Sequence, residues 1–162
     1  MLADLFEAAW GGRGGVFSEE DREHAFGGMH FLIEQDGKIL AHASVVAREL
    51  HVQEHRLTTG YVEAVATWPA HQRQGLASTL MRAVGDHLDA RYELGGLSLG
   101  VEGFYERFGW RLWQGPTFCR TEAGLVRTED DDGGVMVRLT PASPALDLTA
   151  PISCNHRSGD VW

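Results

Sequence analysis

The sequence predicts an α+β fold: a mostly antiparallel sheet flanked by helices. Three observations carry this reading. Between Met29 and Trp68 the chain is strand-like and broken only at Asp36-Gly37 and Gln53-Glu54-His55, as in a three-stranded antiparallel meander. Leu76, Leu80, Met81, Val84 and Leu88 then recur at helical spacing and mark one amphipathic helix. Short apolar strands resume after it.

Taken in order, Leu2, Leu5, Phe6, Ala9 and Trp10 lie on one helical face, and Gly11-Gly12 and Gly14-Gly15 break that helix. Ser18 stands before Glu19-Glu20-Asp21, an N-cap with acids in the first turn, and starts a short helix through Phe26. Strands follow at 29–34, 39–51 and 57–68, with Asp36-Gly37 as a tight hairpin turn. The main helix runs over 75–88 and a short strand over 94–99. A brief helix holds Phe104, Tyr105 and Phe108, and Gly109 caps it in the left-handed conformation. Strands are expected at 110–113, 118–121 and 135–139. The tail from Pro141 is rich in turn formers yet finishes on Val161-Trp162.

At 162 residues, with 43% hydrophobic content and no repeat, the chain is read as one domain over residues 1–162. No apolar run nears the roughly 20 residues that cross a bilayer, and no signal pattern opens the chain. Cys119 and Cys154 are isolated, so neither a disulfide framework nor a zinc site is suggested, and a cytoplasmic location is the default. The eight histidines show no ligand spacing, so no metal is expected. A net charge of −9 argues against nucleic acid. It leaves two readings, plain solubility or a cationic substrate.

The most informative stretch runs from Val62-Glu63-Ala64-Val65-Ala66-Thr67-Trp68-Pro69 through Gln72-Arg73-Gln74-Gly75-Leu76-Ala77. A strand enters a loop, and the loop enters a helix whose first turn is small. The first N–H groups of a helix lack intrahelical partners and the macrodipole is positive there, so an anion is favoured. Gly75 and Ala77 let a phosphate approach. Alone, the Q-x-x-G-x-A string is weak. Its strand-proline flank, and the later Gly103-Phe104-Tyr105-Glu106-Arg107-Phe108-Gly109-Trp110, make it specific.

With these motifs the sequence resembles the GCN5-related N-acetyltransferase superfamily. The resemblance implies a mixed sheet whose central strands splay to admit acetyl-CoA. The pantetheine would pair with Val65, Ala66 and Thr67, and the pyrophosphate would lie on the amides of Gln72, Arg73, Gln74, Gly75, Leu76 and Ala77. More narrowly, Gly27-Gly28-Met29-His30, Gly60-Tyr61-Val62-Glu63, Gly115-Pro116-Thr117, Asp130-Asp131-Asp132-Gly133 and the terminal Arg157-Ser158-Gly159-Asp160-Val161-Trp162 are similar to the aminoglycoside 2′-N-acetyltransferases. These motifs reach from about residue 17 to the last residue. That family acts by direct attack of the amine in a ternary complex, confers antibiotic resistance and implies a homodimer.

Acetyl transfer to an amine needs a deprotonated nucleophile, a polarised thioester carbonyl and a proton for the thiolate. On the residues alone, Glu63 is an exposed strand carboxylate or a base, and Tyr105 a core tyrosine or an acid. The resemblance implies Glu63 as general base through water, the Val65 N–H as oxyanion donor and Tyr105 as general acid. It implies Ser98 near both substrates. It also places Asp21, Glu63, Ala64, Asp130, Asp131, Asp160 and the Trp162 carboxylate around a polycationic sugar, where carboxylates suit ammonium groups. As bland features, the aspartates are a helix-dipole partner, a solvated loop and a tail end.

The match departs twice. The family's first edge strand has no counterpart here, and the link 99–103 is short. The competing readings are an acetyltransferase for another amine, such as a polyamine, amino sugar or peptide N-terminus, and a catalytically silent acyl-CoA sensor.

Overall fold

The computed structural model describes residues 2–11 and 18–162, which divide into two compact units. The first comprises residues up to Val46 together with Val62–His87; the second comprises Ala47–Tyr61 and Leu88–Trp162. The expected break at Gly12, Gly14 and Gly15 lies outside the described residues.

In the first unit, α1 (Leu2–Trp10) buries Leu5 and Phe6 against Ile39 and Ala66, the face its spacing predicts. α2 (Glu19–Phe26) begins with a capping box: Asp21 N–H donates to Ser18 Oγ at 3.1 Å, and Ser18 N–H donates to Asp21 Oδ2 at 2.9 Å. β1 (Met29–Gln35) pairs antiparallel with β2 (Lys38–Val52), with a register shift at Ile33/Glu34. The two-residue turn between them has positive φ at both Asp36 and Gly37, matching the twist of a hairpin. β3 (His55–Thr67) lies beside β2, and α3 (Leu76–Arg91) follows. Leu80, Met81 and Val84 are buried, and His87 meets Phe31 of β1 edge-on at 5.4 Å.

In the second unit, β4 (Leu94–Ser98) pairs antiparallel with β8 (Val135–Leu139), whose other edge takes β5 (Trp110–Leu112). β6 (Thr117–Thr121) and β7 (Gly124–Arg127) form a hairpin. β9 (Ile152–Asn155) runs parallel to β6 and antiparallel to β2. The strand order is β5-β8-β4-β3-β2-β9-β6-β7, with β1 on β2, and the parallel β6–β9 pair beside antiparallel pairs such as β1–β2 and β4–β8 makes the sheet mixed. Leu50, Leu57, Leu94, Val137, Ile152 and Trp113 form the core of this unit, and Trp113 Nε1 donates to Ala150 O at 2.9 Å. Gly115 is fixed by close approach, since a Cβ there would lie 2.0 Å from Ala150 O.

The expected elements form within a few residues of their predicted ends, and Gly109 takes the left-handed cap at φ 86°. β7 and β9 were not expected. Each has four residues and no local period of its own. β9 forms because pairing on two sides buries Ile152, Ser153 and Cys154.

Candidate functional site

The first unit holds the strand–turn–helix element. Trp68 secures the end of β3: its N–H donates to Leu40 O at 3.0 Å, its Nε1 to Ile39 O at 2.8 Å, and Lys38 Nζ sits 3.9 Å over its ring. A 3-10 turn over Pro69–His71 follows, then exposed Gln72, Arg73, Gln74 and Gly75. Arg73 (φ 61°) and Gly75 (φ 82°) are both left-handed, a backbone that turns successive N–H groups toward one side. Gly75 has no side chain to cap α3, and open space surrounds its Cα. The first turn of α3, with Leu76 and Ala77, could therefore hold a phosphate at its amides.

Upstream in β3, Glu63 is half-buried, and Ala64 stands at φ 52° in mid-strand. A left-handed alanine inside a strand is a bulge-like kink that changes where its neighbours point. Glu63 precedes it and Val65, Ala66 and Thr67 follow. Ser44 Oγ donates to Glu63 O at 3.2 Å, and His42 Nδ1 donates to Ala64 O at 2.8 Å. Asp21, also in this unit, has its Oδ2 committed to the capping box.

The second unit gathers the others. Tyr105 is buried against Phe104, edge-on at 4.9 Å, and Trp110, with centroids 6.4 Å apart. Burial pushes its phenol up to about 12, so the proton is firmly held. Ser98 Oγ shares a 3.0 Å hydrogen bond with Tyr61 OH, and Arg48 lies over the Tyr61 ring at 4.6 Å.

The tail folds back. Trp162 is 2% exposed, and its indole Nε1 donates to Thr128 Oγ1 at 3.0 Å. Its N–H donates to Asp160 Oδ1 at 3.1 Å, Arg157 Nη2 donates to its main-chain oxygen at 3.3 Å, and Arg48 Nη2 holds Val161 O at 2.6 Å. This brings Asp160 toward Asp130 and Asp131, which line a cavity with Arg127, Thr128 and Glu129. Burial first, then the charge of Asp160 and those of Asp130 and Asp132, raise the Asp131 carboxyl above its ordinary value. Asp132 is diverted to structure. It is bound by Arg127 and by the N–H and Oγ1 of Thr117, each Thr117 contact at 3.0 Å, which holds its carboxyl well below the usual range.

Several contributors carried no signal in the sequence. Arg48 and Thr128 act through the tail and loop, and His42 and Ser44 through the kink. Among the described residues no group of three His, Cys, Asp or Glu could hold a metal ion, and no helix is long and apolar enough to cross a membrane.

Residues 2–113 match the family described as an acetyltransferase (GNAT) domain. The whole chain aligns at 47% identity with the aminoglycoside 2′-N-acetyltransferase of Mycolicibacterium fortuitum, covering 82% of that protein. Among solved structures, the GNAT family N-acetyltransferase YhbS of Escherichia coli, in complex with CoA, superposes with a TM-score of 0.65. That match has 18% identity and covers 98% of this chain and 86% of that one. Eis1 of Mycobacterium abscessus superposes at 0.60 with 18% identity, over 72% of this chain but only 30% of that longer one. The chain belongs to the GNAT acetyltransferases and, within them, to the aminoglycoside 2′-N-acetyltransferase family.

Proposed function

We propose that this protein is a cytoplasmic single-domain enzyme that acetylates the 2′-amine of aminoglycosides from acetyl-CoA and so confers resistance. The observation that carries the substrate class is the acidic group made by the folded-back tail. Burial first, and then the charges of Asp160 and Asp130, raise the Asp131 carboxyl, and an ammonium-bearing ligand offsets both the lost solvation and the repulsion. Asp21, Glu63, Ala64, Ser98 and the Trp162 carboxylate complete the proposed substrate set.

Bound acetyl-CoA supplies an activated acetyl group as its thioester. Gln72 through Ala77 offer their amides to the pyrophosphate, and Val65, Ala66 and Thr67 offer backbone pairing to the pantetheine. Glu63 takes the amine's proton through water, leaving the lone pair free to attack. The Val65 N–H faces the carbonyl oxygen where charge develops. Tyr105, whose proton is secured by burial, delivers it to the sulfur.

A thiol-release assay with tobramycin, kanamycin A, gentamicin, spermidine and a peptide tests this reading. Turnover of tobramycin but not kanamycin A, which lacks a 2′-amine, supports the regiochemistry. Turnover of spermidine or the peptide alone moves the chain to another amine. Binding of acetyl-CoA without turnover of any amine points to a sensor.

A further inference from the structure

His42 is a fully buried titratable group with no part in the chemistry above. It lies on β2 among Leu40, Ala41, Ala43 and Val45, where an apolar side chain would cost nothing to bury. Ser44, two residues on, is the other fully buried polar residue of that stretch. Both make the same kind of bond. Ser44 Oγ takes the carbonyl of Glu63 and His42 Nδ1 takes the carbonyl of Ala64, successive carbonyls at the kink in β3.

A carbonyl only accepts, so Nδ1 of His42 carries the proton. Burial, together with the nearby His30, pulls the His42 ring down to about 4, so it is neutral and its Nε2 accepts. His30 Nδ1 supplies that donor at 2.9 Å, fixing the His42 tautomer from β1. Phe6 of α1 closes the ring off edge-on at 5.1 Å. A left-handed alanine is strained and persists only where its surroundings hold it.

We propose that His42, with Ser44 beside it and His30 behind it, is a positioning residue that holds the Glu63–Ala64 carbonyls in the kink and thereby aims the Glu63 carboxylate and the Val65 N–H. The catalytic half of this inference rests on the proposed function; the backbone half does not.

The test compares His42→Leu, which fills the volume without a donor, with His42→Asn, whose amide can replace Nδ1. Activity on tobramycin and amide hydrogen exchange at Ala64 and Val65 in the free protein are both measured. In His42→Leu, kcat is expected to fall about 30-fold, with KM for tobramycin within about twofold, the pattern of a group that acts in the transition state. The Ala64 and Val65 amides exchange faster in that variant, and His42→Asn restores both readouts. A His42→Leu enzyme with unaltered kcat and amide exchange overturns the proposal. So does a His42→Asn variant as impaired as His42→Leu, which means that the ring packs rather than donates. If the parent protein turns over no aminoglycoside, the proposed function fails, and the amide exchange alone decides whether His42 holds the kink.

Discussion

Trp162 Nε1 donates to Thr128 Oγ1 at 3.0 Å, which ties the last residue of the chain to the loop that carries Asp130 and Asp131. Thr128 is held in turn, its Oγ1 donating to Thr117 Oγ1 at 2.7 Å. The indole therefore joins the acidic tail to the acidic loop through a buried polar chain.

Deletion of Asp160, Val161 and Trp162 removes one carboxylate and the anchor for the others. KM for tobramycin should rise by more than about tenfold, while the Kd of acetyl-CoA stays within about twofold, because loss of one well-placed ion pair is worth about 1–3 kcal/mol. Calorimetric titration with each ligand separates the two. Equal loss of both affinities means that the deletion unfolds the second unit, since a buried tryptophan also contributes about 3 kcal/mol to a core.

Gly75 tests the turn. Its φ of 82° suits glycine, and open space around it means that a side chain meets no clash. A valine there strains only the backbone and crowds the amides that would meet a phosphate. Gly75→Val should raise KM for acetyl-CoA about tenfold, a cost near 1.4 kcal/mol, with tobramycin KM unchanged. An unchanged acetyl-CoA KM removes the pyrophosphate from this turn.

Asp132 gives a pH-dependent stability. Its folded-state carboxyl is held below the ordinary 3.8 by Arg127 and Thr117, so its contribution is fully present above that value and is lost as pH falls through the depressed one. Asp132→Asn should lower the melting temperature at pH 7, and the gap from the parent should narrow in acid. Melting curves at pH 7, 5, 4 and 3 check this; a gap constant across the series separates Asp132 from the acid dependence.

Much of this was legible in the residues because the signals were local. Ser18 with Asp21, Asp36 with Gly37, and Gly109 each specify a cap or turn within four residues. The turn at Arg73 and Gly75 was legible for the same reason. β9 was not, because its two pairings join Ile152–Asn155 to strands about 35 and 100 residues away in the chain. His42 was not, because both faces of β2 are buried from Ile39 to Val45, so no alternation singles out a polar residue there. The roles of Glu63 and Tyr105 came from the resemblance, since strand carboxylates and core tyrosines carry no signature of their own.

Tyr105 is the proposed general acid and also a core residue. A general acid must hold its proton until the thiolate leaves, and burial against Phe104 and Trp110 disfavours the phenolate. Because the phenol is pushed up to about 12, it stays protonated throughout an assay between pH 6 and about 10. Its own ionisation should then produce no fall in kcat at the alkaline end. Tyr105→Phe should lower kcat about 100-fold at every pH, as expected when a positioned acid is removed, while leaving the acidic limb where it was. A turnover within twofold of the parent at saturating substrates sinks the assignment. An alkaline fall in the parent that vanishes in Tyr105→Phe would instead mean that the phenol ionises within the assay range, and that burial does not govern its proton.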